Sequence, residues 1–262
     1  MLGAIIGDIA GSIYEWRNIR QKEFPLFRQE CRPTDDSIMT LAVARALLET
    51  TDPEELPAYA VRNMQDLGRK YPYAGYGGHF ASWLRERDPQ PYNSWGNGAG
   101  MRVSPCAWAA GSLEEALALA DAVTAVTHNH PEGIKGARAV TAAEYLAREG
   151  RTMDEIREHI VSNYYPLDFT LGEIRMTYRF DVSCQGSVPQ AIEAFLESTD
   201  YEDAIRNAIS IGGDSDTIAA MAGGIAEAFW GIPDGIRNEC LPFLDESLVR
   251  TVRDFEARFG HR

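Results

Sequence analysis

From Leu113 onward the positions Leu113, Ala116, Leu117, Ala120, Val123 and Thr127 trace one face, recurring at the i, i+3, i+4, i+7 spacing of an amphipathic α-helix. Ser112, three residues ahead of Glu115, reads as a capping box at its start. The rhythm recurs in Ile38, Leu41, Val43, Leu47 and Leu48, and again in Ile218, Met221, Ile225 and Phe229. Along the chain it predicts helices at 41–49, 54–67, 113–127, 134–148, 153–163, 188–196, 201–209, 218–230 and 247–258. Alternation with a period of two is nearly absent, so the expectation is an all-α chain. Turn-rich loops interrupt it at 73–78, 92–100 and 183–187, where chemistry tends to reside. The stretch 18–33 is polar and irregular, and reads as a lid or a surface excursion. No repeat, low-complexity run or linker divides the chain, and a single domain over 1–262 is expected.

A net charge of −14 argues against sequence-independent binding to a nucleic-acid backbone or an anionic membrane, both of which need clustered Lys and Arg. It leaves room for a small anionic ligand, because backbone N–H groups, an arginine or a bound cation can make a pocket locally positive. Cys31, Cys106, Cys184 and Cys240 show no paired spacing and are expected to be reduced thiols. The apolar start at 1–13 lacks a basic lead-in, carries Asp8 and is too short to span a bilayer. A cytoplasmic protein is therefore expected, monomeric by default.

Two oxygen-rich strings, Thr34-Asp35-Asp36-Ser37 and Gly213-Asp214-Ser215-Asp216-Thr217, each open one of the apolar helical segments. Asp, Ser and Thr are preferred helix N-caps, which explains one residue of each string. Neighbouring carboxylates repel one another once they leave water, however, and a cation would relieve that cost. Carboxylate and hydroxyl oxygens this close together suit hard cations such as Mg²⁺ or Mn²⁺ rather than zinc. If both helices start in one place, two cations fit between them.

Gly96-Asn97-Gly98-Ala99-Gly100, followed by Met101 and Arg102, permits close backbone approach to a ligand. It has neither the lysine of a P-loop nor the preceding strand of a dinucleotide fingerprint. His128-Asn129-His130-Pro131 is read as closing the helix that starts at Leu113, with His128 capping it or bonding a ligand. Asp8 and Glu15 supply acidic groups near the N-terminus, and Glu15 is the sharper candidate for general acid or base.

Together, Gly7-Asp8 through Glu15, Thr34-Asp35-Asp36, Gly96-Asn97-Gly98 through Met101-Arg102, His128 and Gly213-Asp214-Ser215-Asp216-Thr217 resemble, in order and over almost the whole chain, the ADP-ribosylglycohydrolase family. The resemblance implies a compact all-α orthogonal bundle with two Mg²⁺ or Mn²⁺ ions in a central cleft, acting on ADP-ribosylated substrates at the distal ribose. It implies Thr34, Asp35, Asp36, Asp214, Asp216 and Thr217 as metal ligands, with Glu15, Asp35 and Asp36 serving the chemistry. It also implies Ser94, Trp95, Gly96, Asn97, Gly98, Met101 and His128 around the diphosphate and neighbouring ribose, with Gly186 and Ser187 as the other wall. Similar enzymes that act on ADP-ribosyl-arginine use an extra acidic residue before the glycine segment, for which Asp88 is the nearest Asp, so the linkage stays open. A non-catalytic ADP-ribose-binding module is the competing reading. A dinuclear phosphohydrolase is a weaker one, because His79, His128, His130, His159 and His261 offer no His-Asp pair.

Overall fold

The computed structural model describes residues 1–260, so His261 lies outside the described residues. The chain forms α1 (Leu2–Gly11), α2 (Asp35–Glu49), α3 (Leu56–Lys70), α4 (Gly78–Trp83) and α5 (Gly98–Met101). It continues through α6 (Ser104–Ala109), α7 (Leu113–Thr124), α8 (Pro131–Arg148), α9 (Met153–Asn163) and α10 (Leu171–Ile174). It ends with α11 (Cys184–Leu196), α12 (Tyr201–Ser210), α13 (Ser215–Trp230), α14 (Asp234–Cys240) and α15 (Glu246–Phe259). Among the described residues there is no β-strand, only an isolated bridge between Gly96 and Ser183. Among the described residues no helix is long and apolar enough to cross a membrane. All four cysteines are free and buried.

Helices α1 and α13 form the heart of the bundle. Every residue of α1 is buried, as is α13 from Ser215 to Ala226; helices apolar all round belong in a core. Their backbones cross at glycine. A Cβ on Gly7 would sit 2.0 Å from the Ala219 carbonyl oxygen, and one on Gly11 would sit 2.5 Å from Asp216 Cα. That close crossing lays the acidic residues of α1 and its exit beside the start of α13. Helix α2 packs on α1 and on α13, which brings the other aspartate string to the same place.

Several local expectations need correction. Ser112 caps α7 through Glu115 N–H at 3.1 Å, but Glu115 reaches back to the amide of Gly111, 2.7 Å away, instead of Ser112. The box is therefore not reciprocal. His130 does not close α7, which ends at Thr124; its ring accepts from Glu132 N–H and starts α8. The turn at 183–187 is the first turn of α11, capped by Ser183. The irregular stretch 18–33 is tied down rather than free to act as a lid. Asn18 exchanges hydrogen bonds with the Gly213 backbone, Arg20 donates to the carbonyls of Arg175, Ile211 and Tyr178, and Arg206 holds those of Lys22 and Phe24.

Candidate active site

At the crossing of α1, α2 and α13 the carboxylates converge. Oxygens of Asp8, Asp36 and Asp216 lie within 4.8 Å of one another, and so do those of Glu15, Asp214 and Asp216. Asp216 thus belongs to both groups. Asp8 is fully buried and accepts four hydrogen bonds from the start of α2. These come from Thr34 N–H at 2.8 Å and Ser37 N–H at 3.1 Å, and from the hydroxyls of Thr34, at 2.6 Å, and Ser37. It fixes the entry of α2 and, with it, Asp36.

Capping does not account for these residues. Thr34 does cap α2, through a long 3.4 Å contact to Asp36 N–H, but Asp214 occupies the cap position of α13 without making a cap hydrogen bond. Its carboxylate instead accepts from Asn97 Nδ2 at 2.7 Å. Asp36 Oδ2 accepts from the Thr217 hydroxyl at 3.3 Å, whereas Asp36 Oδ1 is buried with no partner. A buried carboxylate oxygen left unpaired is expensive, and this one sits inside an oxygen-only cluster of the kind hard cations occupy.

Burial pushes all these carboxyls upward. Asp36 and Asp216 stand well above the ordinary aspartate value, first from desolvation; the charges of Asp8, Asp35 and Asp214 add to the rise of Asp36, and those of Asp36, Asp214, Glu15 and Asp8 to that of Asp216. Asp35 is pushed up to about 7 by desolvation and by Asp8. Glu15 reaches about 7 through desolvation and the nearby Asp214, opposed by the Trp16 side chain and Arg32. The rise for Asp8 is also driven by desolvation, and the hydrogen bonds from Ser37 and Thr34 oppose it.

The cluster forms part of a cavity of about 660 Å³. Glu15, Asp35, Asp36, Asp214, Asp216 and Thr217 line it, together with Ser94, Gly96, Asn97, Gly98, Met101 and His128 from the glycine segment and the α7 exit. Thr34, Trp95, Gly186 and Ser187 do not. Thr34 lies beneath Asp8 and Asp36, and Trp95 turns outward against His130 with half its surface exposed. Gly186 and Ser187 sit in the first turn of α11, where the Ser187 hydroxyl bonds the Asp181 carbonyl at 2.7 Å and braces Asn97 at 3.1 Å. Phe180 and Val182 supply that wall instead. Asp88 is exposed, pairs with Gln90 at 3.2 Å and is not part of the cavity.

Arg102, noted in the sequence only as following the glycines, is 1% exposed and reaches the cavity wall. Its guanidinium contacts the Gly98 carbonyl, the Thr127 hydroxyl at 3.3 Å and His128 Nδ1 at 3.4 Å, and lies over the Phe80 ring. No carboxylate pairs with it among the ion pairs of the described residues. Burial, and then Arg102, drives the His128 pKa well below its ordinary value, so the ring is neutral. Because an arginine can only donate, Nδ1 must accept and the ring proton sits on Nε2. That edge faces Gly98, where an added Cβ would lie 3.1 Å from Nε2. The cavity thus combines an acidic cluster with a buried cation and a neutral N–H donor. Phe80, Tyr92, Trp16, His79 and the glycines Gly75, Gly77 and Gly78 complete the lining; none had a sequence signal stronger than an isolated aromatic or a turn.

The ADP-ribosylglycohydrolase family model matches residues 1–261. The chain is 27% identical to ADP-ribosylhydrolase ARH3 of Bos taurus, over 92% of this chain and 87% of that one. It is 25% identical to ADP-ribosyl-[dinitrogen reductase] glycohydrolase of Rhodospirillum rubrum, over 96% and 91%. Similarity to ADP-ribosylarginine hydrolase Tri1 of Pseudomonas putida, at 29% identity, covers 57% of this chain and 43% of the relative. Among solved structures, a chain of an ADP-ribosylglycohydrolase-related protein complex superposes with a TM-score of 0.69 at 22% identity, over 98% of this chain and 95% of that one.

Proposed function

The chain belongs to the ADP-ribosylglycohydrolase family, and from that premise we propose that it is a hydrolase that removes ADP-ribose from ADP-ribosylated substrates with two hard divalent cations, Mg²⁺ or Mn²⁺. The observation that carries the reading is the pair of carboxylate triads sharing Asp216 in one cavity. The donor set fits the cations: it is all oxygen, and Asp36 Oδ1 is buried without a partner. Asp36, Asp214 and Asp216 would hold them, with Asp35, Thr217 and the hydroxyl of Thr34 completing the shell. When bound, such cations supply Lewis acidity and orient the vicinal hydroxyls of a ribose.

The chain's own groups do the rest. Arg102 and the Nε2–H of His128 suit an anionic diphosphate, and the glycines at 96 and 98 let its oxygens approach the backbone. Ser187 and Asn97 brace Asp214. A water oxygen adds to the anomeric carbon, the bond from that carbon to the leaving group breaks, and the leaving group takes up a proton. Glu15, whose carboxylate lies in the triad with Asp214 and Asp216 and lines the cavity, is placed to exchange protons during that step. The named relatives are hydrolases of ADP-ribosyl linkages, which favours turnover over a binding module.

The test is hydrolysis of ADP-ribosylated peptides by wild type, Asp214→Ala and Glu15→Gln with and without Mg²⁺ or Mn²⁺. Wild type should turn over only with added cation, Asp214→Ala should lose at least about a hundredfold in kcat/KM, and Glu15→Gln should fall mainly in kcat. Full activity in Asp214→Ala, or full activity in chelator, overturns the metal assignment.

A further inference from the structure

Trp16 is 77% exposed and Phe180 is 41% exposed, yet the two rings stack at 5.0 Å between centroids with planes 23° apart. Both line the same cavity. An indole left mostly in water contributes little to a core, and an exposed aromatic pair lining a cavity offers flat faces on which a planar ligand group can stack. Its place along the chain gives it a role. Trp16 directly follows Glu15, whose carboxylate belongs to the triad with Asp214 and Asp216. Phe180 precedes Val182, whose carbonyl accepts from Asn97 N–H at 2.7 Å. The platform therefore stands at the acidic side of the cavity, beside the residues that would hold the distal ribose.

Building on the hydrolase reading above, we propose that Trp16 and Phe180 form the leaving-group subsite, and that they select the planar guanidinium of ADP-ribosylated arginine over a hydroxyl-linked side chain. The face of an indole attracts a delocalised cation, and a guanidinium stacks on aromatic planes as an ammonium or an aliphatic alcohol does not. Charge is compatible with the same occupant: Glu15 directly precedes Trp16 and lines the same cavity, so an acidic group stands beside the platform, and a net charge of −14 disfavours a nucleobase borne on a polyanion. Asp88, the nearest Asp ahead of the glycine segment, does not line the cavity, so the discrimination falls to Trp16.

The experiment compares kcat/KM for arginine-linked and serine-linked ADP-ribosyl peptides in wild type, Trp16→Ala and Trp16→Phe. Wild type should favour the arginine linkage. Trp16→Ala should cut the arginine-to-serine ratio roughly tenfold, mainly through KM on the arginine substrate, and Trp16→Phe should restore most of it. A parallel fluorescence titration with agmatine, a free alkylguanidine, needs no turnover: binding should weaken roughly tenfold in Trp16→Ala. A faster serine linkage in wild type, an unchanged ratio in Trp16→Ala, or equal agmatine binding by both proteins overturns the proposal. Absence of turnover on every linkage strikes at the hydrolase reading instead, and the agmatine titration still decides the subsite.

Discussion

Asn97 Nδ2 donates to Asp214 Oδ2 at 2.7 Å, so a residue of the glycine-rich segment orients a carboxylate of the second aspartate string across the cavity. The same amide contacts the Ser187 hydroxyl at 3.1 Å, which leaves little freedom for either partner. Partners behind a metal ligand commonly contribute ten- to a hundredfold in affinity. Asn97→Ala should therefore raise the Mn²⁺ concentration for half-maximal activity by about tenfold, with most of the rate recovered at saturating metal. A Mn²⁺ titration of activity reads this directly, and an unshifted curve would show that Asp214 needs no brace.

Gly7 meets Ala219 backbone to backbone: a Cβ would lie 2.0 Å from its carbonyl oxygen. Neither side can yield by side-chain rotation, because the obstacle is main chain. Gly7→Ala should lose about 3 kcal/mol or more of stability and loosen the crossing that brings Asp8 to the cluster. Gly235→Ala is the control, since nothing lies within 4 Å of its added Cβ in α14; there alanine's helix propensity should leave stability unchanged or raise it by about 0.5–1 kcal/mol. Urea unfolding of both variants separates the two effects.

Legibility in the sequence follows from the same physics. The helix expected at 153–163 coincides with α9 (Met153–Asn163), because the reciprocal Thr152–Glu155 box and the one-sided apolar face both survive in the fold. Helix α1 produced no periodicity, since every residue from Leu2 to Gly11 is buried and no polar face exists to set a phase. The short helices α4, α5, α6 and α10 hold too few turns for a pattern. The aspartate strings stood out because like charges rarely cluster without a reason. Phe180 and Val182 did not, for their role depends on where the bridge from Gly96 to Ser183 carries the loop.

Chelation should make stability depend on pH in a definite direction. Folded, Glu144 and Asp35 titrate at about 7 because burial disfavours their charged forms, against ordinary values of 4.5 and 3.8. Between those limits the folded chain holds protons that the unfolded chain has released, so stability falls as pH rises from about 4 through about 7. In chelator, Tm should be higher at about pH 5 than at about pH 8. Mn²⁺ should flatten the contribution of the aspartate cluster. Glu144, held by Ser104 and by Trp108 Nε1, lies outside both triads, so Glu144→Gln should reduce the slope with or without metal. A Tm that climbs with pH in chelator contradicts the assignment.

Arg102 stands opposite in sign to its neighbours and without an acidic partner of its own. It is 1% exposed, and its donors go to a carbonyl, a hydroxyl and His128. A buried cation so placed costs folding energy unless a ligand completes it. Two effects of Arg102→Met should therefore diverge. Without ligand, loss of the charge should leave Tm unchanged or raise it, because a thioether of similar reach can pack against Phe80 and Met64. With ADP-ribose, affinity should fall at least about tenfold, since a charge-assisted contact to phosphate is lost. Calorimetric titration beside a thermal melt reads both quantities on one preparation. A variant that loses stability and binding in proportion would make Arg102 a packing residue, whereas divergence assigns its charge to the ligand.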